Sequence, residues 1–311
     1  MATLVAADFD ADEAALWWPA LRAVLPNERL IGERDAVPPG EIDIALVANP
    51  PPGCLQGLPA LRLIQSLWAG VDRLLADPTV PVEVPLARMV DPAMNDAMAQ
   101  TALWAVLGLQ RDFFDYAQQQ REGMWRQRPF RRADEMTVAV LGLGEMGRAV
   151  AHRLVQHGCR VLGWSRGAAL VDGVVCHAGE AALPAVLAQA HVVVNLLPLT
   201  PATRGLFDAA RLAAMPRGAS LVNLARGAHV VEADLLAALD RGHLHRAVLD
   251  VFAAEPLPAA HAFWTHPKVT MLPHIAAPTD ARSAAPIAAR NVAALRAGRP
   301  LANLVDRSRG Y

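Results

Sequence analysis

The chain has 311 residues, 53% of them hydrophobic and 19% charged, with a formal net charge of −1. That length supports two packed domains, and the balanced charge gives no footing for a polyanion or nucleic-acid partner. No apolar run reaches the length of a membrane span, and the N-terminal stretch meets Asp8, Asp10, Asp12 and Glu13 without a basic flank. Cys54, Cys159 and Cys176 are an odd number with no metal-ligand spacing, as expected of thiols in a reducing compartment. The expectation is a cytoplasmic protein with no disulfide, no metal and no membrane contact.

Short β-branched or apolar runs alternate with Ala- and Leu-rich stretches of helical period, the pattern of parallel sheets joined by crossover helices. Strands are expected at residues 3–7, 42–47 and 61–66, with a helix at 11–25, and the third strand ends at the loop Trp68-Ala69-Gly70-Val71-Asp72. Residues 91–111 read as a long helix that runs into a polar, aromatic segment at 113–132, too charged and Gln-rich for core and read as a connection, with packing on another subunit open to it. A second α/β unit begins at Thr137, with strands expected near 137–141, 160–163, 191–196, 220–223, 246–251 and 270–272. A late Ala-rich helix at 280–297, with Thr279 as its N-cap, returns toward the first unit. The fold class is therefore α/β: two doubly wound, Rossmann-like parallel-sheet domains, one inserted into the other. Residues 1–102 and 279–311 make the outer domain and 103–278 the inserted one.

The inserted unit opens with an apolar run into Gly142-Leu143-Gly144-Glu145-Met146-Gly147, followed by a helix expected at 148–157. Gly142 permits a tight turn, Gly144 lets backbone approach a pyrophosphate, and Gly147 lets the helix pack closely, so the helix N–H groups face phosphates. A lone glycine turn serves structure as often as ligands, but here both the strand and the helix flank it. At the end of the next strand, Leu162-Gly163-Trp164-Ser165-Arg166 lacks the carboxylate that would hold a ribose 2′-hydroxyl. A hydroxyl beside a guanidinium suits a 2′-phosphate instead, making NADP(H) the preferred cofactor and NAD(H) a possible one.

Three further strand ends carry polar groups: Asn223-Leu224-Ala225-Arg226-Gly227, Asp250-Val251-Phe252-Ala253-Ala254-Glu255, and Pro273-His274. Each of these residues alone has an ordinary structural explanation, such as a helix cap, a solvated turn or a surface histidine. Together, in order beyond a dinucleotide turn, they match the needs of 2-oxo acid reduction. Arg226 would take the carboxylate and polarise the carbonyl, and His274 would be the proton donor. Glu255 would orient the imidazole, and Asp250 would accept from a nicotinamide carboxamide.

On these motifs the chain resembles the D-isomer-specific 2-hydroxyacid dehydrogenases, and within them the bacterial glyoxylate/hydroxypyruvate reductase A branch. The resemblance extends over Trp164-Ser165-Arg166, Asn195-Leu196-Leu197-Pro198, Asn223 to Gly227, His229-Val230-Val231-Glu232 and the tail from Asp306 to Tyr311. It implies Arg226, Glu255 and His274 as catalytic residues. It also implies a flavodoxin-like substrate domain whose carboxylate loop is Trp68, Ala69, Gly70 and Val71. The implied cofactor-binding set is Gly142, Gly144, Glu145, Met146, Gly147, Ser165, Arg166, Leu197, Pro198, Leu224, Ala225 and Asp250. A homodimer built through the cofactor domain, acting on glyoxylate and hydroxypyruvate, follows from the same resemblance. Two positions depart from the family pattern: Trp68 stands where the loop usually begins with glycine, and Gln100 stands where an acid is common. Trp68 either narrows the pocket or packs beneath the loop. A pocket enlarged near Trp68 and Trp125 would favour bulkier substrates such as phenylpyruvate, and a nucleotide-sensing protein without catalysis is the remaining alternative.

Overall fold

The computed structural model describes residues 1–310; Tyr311, the last residue of the Asp306 tail motif, lies outside them. The chain divides into two compact units, Met1–Met94 with the segment from Thr279 onward, and Asn95–Pro278.

The first unit begins with β1 (Ala2–Ala7), α1 (Ala11–Val24), β2 (Leu30–Ile31), β3 (Ile42–Ala48), β4 (Leu63–Ser66), α2 (Asp72–Ala76) and β5 (Leu86–Ala87). Its strands lie in the order β2-β1-β3-β4-β5, all parallel. The α1 N-terminus is set by Asp10, which accepts from the Glu13 N–H while the Glu13 side chain accepts from the Asp10 N–H. All seven residues of β3 are buried, as a central parallel strand covered on both faces requires.

Across α3 (Pro92–Gln110) the chain enters the second unit. There follow α4 (Phe113–Arg121), β6 (Thr137–Leu141), α5 (Glu145–His157), β7 (Arg160–Ser165), β8 (Val174–Ala178), α6 (Leu183–Leu187), β9 (Val192–Asn195), α7 (Ala209–Ala214), β10 (Ser220–Asn223), α8 (Glu232–Asp240), β11 (Ala247–Leu249) and β12 (Val269–Met271). The parallel sheet runs β12-β11-β10-β9-β6-β7-β8. Strand order reverses between β6 and β9, and a crevice at that reversal, beyond the carboxyl ends of the strands, is where such sheets bind ligands. Alternate residues build two separate cores. Ala139, Leu141, Leu162, Val193, Leu221 and Leu249 enter one, while Val138, Val140, Val161, Val194, Val222 and Val248 enter the other. Each buried Val or Leu among them contributes about 1.5–3 kcal/mol, and a one-residue slip would exchange the two cores.

The chain returns to the first unit through α9 (Ala281–Arg296). Its buried Asn291 donates to Gln65 on β4 at 2.7 Å, and Arg296 pairs with Glu28 and with the buried Asp43. Its N-cap is Asp280, which accepts from the Arg282 N–H, and not Thr279, whose hydroxyl turns to Met94 Sδ. The helix after the glycine turn begins at Glu145, three residues earlier than its apolar pattern indicates, because Gly144 is its N-cap. Half of the connection at 113–132 is helical as α4, tied down by Asp115, which accepts from His245 and Arg246 at 3.1 and 3.2 Å. Burial raises the Asp115 carboxyl, but those two bonds prevail and hold it well below the usual range. Asp112, Asp115 and His245 approach one another closely enough to share a cation, yet Arg128 and Arg246 compensate both carboxylates. Among the described residues no helix is long and apolar enough to cross a membrane.

Candidate active site

The glycine turn sits at the carboxyl end of β6. Gly142 has φ +98°, and a Cβ there would lie 2.8 Å from the Leu196 carbonyl oxygen; at Gly147 it would lie 1.7 Å from the Gly142 oxygen. Both glycines are demanded by the protein's own packing. Gly144 differs, because a Cβ there meets nothing within 4 Å. Its small size leaves open space at the start of α5, whose N-cap offers no side-chain hydrogen bond to the first turn. That combination fits a phosphate accepting the helix N–H groups. Glu145 is exposed and Met146 half-buried in this first turn. At the end of β7 the Ser165 hydroxyl donates to the Gly167 carbonyl at 2.8 Å, and Arg166 is exposed.

The groups after β10, β11 and β12 form a connected set. Glu255 Oε2 lies 2.7 Å from His274 Nδ1, and the other carboxylate oxygen accepts from the Phe252 N–H at 2.9 Å. The imidazole is thereby oriented through Nδ1, with Nε2 on the side of the ring away from Glu255. His274 has φ +55°, unusual for a side chain with a Cβ. Asp250 holds that backbone in place: its carbonyl accepts from His274 N at 2.8 Å, and its carboxylate accepts from Ile275 N at 2.7 Å and Ala276 N at 3.0 Å. Burial pushes the Asp250 carboxyl up, opposed by those two N–H groups.

Arg226 is half-buried, and its Nη1 donates to the Ala225 carbonyl at 2.7 Å. The residue after it joins the Arg226 turn to the Glu255 loop. A Cβ on Gly227 would lie 1.9 Å from the Phe252 carbonyl carbon, so the two backbones touch. Glu232 braces the same loop, accepting from Ala253 N at 3.3 Å and approaching His261 at 3.2 Å.

Leu197, Leu224 and Ala225 turn their side chains into the core, and Pro198 is half-buried. The N–H of Leu197 donates to Asn195 Oδ1, that of Leu224 to the Asn195 carbonyl, and that of Ala225 to Asn223 Oδ1. Sequence reasoning overlooked what Gly227, Asn195, Asn223 and His229 do here. The signal present was an Asn closing each of two adjacent apolar strands, which the structure pairs in register.

In the first unit, residues 67–71 follow β4 and lead into α2. Ser66 Oγ donates to the Trp68 carbonyl at 2.9 Å and accepts from its N–H at 3.1 Å. The indole meets Trp17 edge-on at 5.6 Å and Phe9 at 6.3 Å, while Phe9 and Trp17 stack. Trp68 is thus a half-buried packing residue at the head of its loop. Trp125 is 96% exposed and lines a separate surface groove with Tyr116, Gln119 and Met124.

This chemistry is that of an oxidoreductase built on a dinucleotide-binding fold. The sequence model of the D-isomer specific 2-hydroxyacid dehydrogenase NAD-binding domain matches residues 103–276, and the chain belongs to that family. The chain is 39% identical over 306 residues to a glyoxylate/hydroxypyruvate reductase A of Yersinia enterocolitica, covering 96% of this chain and 97% of that protein. Among solved structures, a D-isomer specific 2-hydroxyacid dehydrogenase from Xanthobacter autotrophicus, in complex with NADPH and MES, aligns with TM-score 0.94 at 42% identity, over 100% of this chain and 99% of that one. An NADPH-dependent glyoxylate/hydroxypyruvate reductase from Sinorhizobium meliloti, with NADP and sulfate, aligns with TM-score 0.91 at 34% identity, over 99% of both chains.

Proposed function

We propose that this enzyme reduces small 2-oxo acids, glyoxylate and hydroxypyruvate foremost, to 2-hydroxy acids with NADPH, and that NAD(H) serves less well. The observation that carries the reading is the 2.7 Å contact between Glu255 and His274, on a loop whose backbone abuts the Arg226 turn. Arg226 grips the substrate carboxylate and polarises the carbonyl oxygen. When bound, NADPH supplies the hydride that reaches the carbonyl carbon. His274 Nε2 gives its proton to the oxygen, completing the alcohol, and Glu255 keeps the ring oriented throughout. Asp250 fixes the His274 backbone and, in this reading, also accepts from the nicotinamide carboxamide.

The cofactor reading rests on Gly142, Gly144, Glu145, Met146 and Gly147 for the pyrophosphate, and on Ser165 and Arg166 for the 2′-phosphate. Leu197, Pro198, Leu224 and Ala225 would meet the cofactor mainly through backbone. The NADPH and NADP in the two related structures support the choice. Residues 103–278 would then be the NADP-binding domain. Residues 1–102 with 279–311 would bind substrate, the carboxylate meeting the loop of Trp68, Ala69, Gly70 and Val71. The enzyme would act in the cytoplasm, where its three free thiols stay reduced, and as a homodimer.

The test is kcat/KM for glyoxylate, hydroxypyruvate and phenylpyruvate, each with NADPH and NADH. Arg226→Ala should lower kcat/KM by about 1,000-fold or more while NADPH binding stays within about threefold. A strong preference for phenylpyruvate would reject the small-substrate assignment. NADPH binding with no turnover of any 2-oxo acid would point to a nucleotide sensor instead.

A further inference from the structure

Three polar side chains are 0% exposed: Asn195 and Asn223, which end β9 and β10, and His229, in the turn that begins at Gly227. Asn195 Nδ2 donates to Asn223 Oδ1 at 2.9 Å and meets His229 Nδ1 at 3.0 Å, while Asn195 Oδ1 accepts from Leu197 N at 3.3 Å. Asn223 Oδ1 also accepts from Ala225 N at 3.3 Å, and Asn223 Nδ2 donates to the Arg226 carbonyl at 2.9 Å. His229 Nε2 approaches the Pro198 carbonyl at 3.3 Å. One assignment of hydrogens satisfies all these contacts. Flipping Asn195 would set its oxygen against Asn223 Oδ1 and its amide against Leu197 N–H. Asn195 Nδ2 is therefore the donor, His229 Nδ1 accepts, and the imidazole hydrogen is on Nε2, donating to Pro198.

We infer that Asn195, Asn223 and His229 act as a positioning relay that sets the Arg226 turn and the turn at Leu197 and Pro198 from one shared set of hydrogen bonds. The inference rests on the reading of Arg226 as the substrate-binding cation and of the Pro198 turn as cofactor-facing. The two ends of the relay are chemically distinct. Asn223 reaches the Arg226 backbone through its amide N–H, whereas His229 reaches Pro198 through Nε2. Neither side chain touches the reacting atoms; each holds backbone whose displacement by a fraction of an ångström moves a functional group off line. A bond set with two ends predicts two separable kinetic defects, which bulk packing does not.

The experiment compares Asn223→Asp and His229→Asn in the full-length protein, reading kcat/KM for glyoxylate, the NADPH dissociation constant by fluorescence quenching, and Tm. Asn223→Asp keeps an oxygen for Asn195 and Ala225 but replaces the donor to the Arg226 carbonyl with an acceptor. It should lower kcat/KM by roughly 10- to 100-fold, and by several times more than it weakens NADPH. His229→Asn keeps an acceptor for Asn195 at the Nδ1 position but cannot reach Pro198, so it should weaken NADPH by more than it lowers kcat. If Asn223→Asp does not fold, Asn223→Ser, too short to reach Arg226, carries the same expectation. Variants that lower Tm but shift both parameters in equal proportion would overturn the relay and leave only packing. If the unaltered enzyme turns over no 2-oxo acid, the proposed function fails. The relay's cofactor end is then still judged by NADPH binding to His229→Asn, where unchanged affinity rejects it.

Discussion

Arg166 and Gly227 show how differently single residues can matter at this site. Arg166 is exposed at the end of β7, next to a serine whose hydroxyl is held by Gly167. A guanidinium contact to a phosphate dianion is worth about 1.5–3 kcal/mol, roughly 10- to 100-fold in affinity. Arg166→Ala should weaken NADPH by about that factor and leave NADH nearly unchanged; equal loss for both cofactors would remove Arg166 from the 2′-phosphate. Gly227 acts by having no side chain. With a Cβ placed 1.9 Å from the Phe252 carbonyl carbon, Gly227→Ala must push apart the loop that orients Glu255 and the turn that carries Arg226. It should destabilise the fold by about 1–3 kcal/mol and lower kcat/KM by roughly 100-fold. Wild-type kcat/KM in that variant would mean the two loops tolerate separation. The Glu255–His274 pairing was legible, because an imidazole that is to donate a proton needs an orienting carboxylate. Gly227 was not, because a close backbone approach leaves no mark in the sequence beyond the glycine itself.

Among the elements, β6 begins with a bond that proton uptake would break. The Thr137 N–H donates to His191 Nδ1 at 3.0 Å, so the imidazole must be unprotonated on that nitrogen. Burial, with Arg131 adding to it, holds the His191 pKa below its ordinary value. The folded chain therefore binds this proton less readily than the unfolded one. The stabilisation is complete above about pH 6.5 and declines as the pH falls toward the lowered folded value. His191→Asn keeps an acceptor without titrating, so Tm measured from about pH 8 to 5 should fall more steeply in the natural protein than in the variant. Parallel curves would show that His191 contributes nothing to acid sensitivity. The strands nearest the site were legible because they are fully buried, with β-branched runs ending in glycine or asparagine. By contrast, β8 at the sheet edge has mixed exposure and no unbroken apolar run, and the two-residue strands β2 and β5 are too short to show a period. At the α9 start, Thr279 and Asp280 are both competent caps, and only the tertiary contact of Thr279 with Met94 separates them.

At the scale of the molecule, the second unit carries an apolar surface that its own fold does not cover. Trp125 is 96% and Phe130 68% exposed, with Met124 and Phe113 about half exposed nearby in sequence. Large aromatics left in water mark an interface, and this is the surface we assign to the proposed homodimer. Trp125→Ser combined with Phe130→Ser should convert a dimer to a monomer in light scattering after size exclusion. A natural protein that is already monomeric would refute the assignment. The insertion of one α/β unit into another was readable from the order of strand and helix patterns. A homodimer was an expectation of the family resemblance alone, because an exposed aromatic in a Gln- and Arg-rich stretch reads equally as a solvated connection and as a surface that packs on another subunit.

All three groups assigned to proton transfer and carboxylate binding, together with the glycine turn, belong to the unit from Asn95 to Pro278. The chain enters and leaves that unit once each. On the proposed roles, proton transfer and the Arg226 grip on the carboxylate share that unit, while the loop at 67–71 belongs to the other stretch of polypeptide. A laboratory graft that exchanges residues 67–71 with those of a relative keeps the whole reductive apparatus as it is. On the proposed role of that loop in meeting the substrate, libraries confined to it, with Ser66 and Trp17 retained as its footing, should shift 2-oxo acid selectivity.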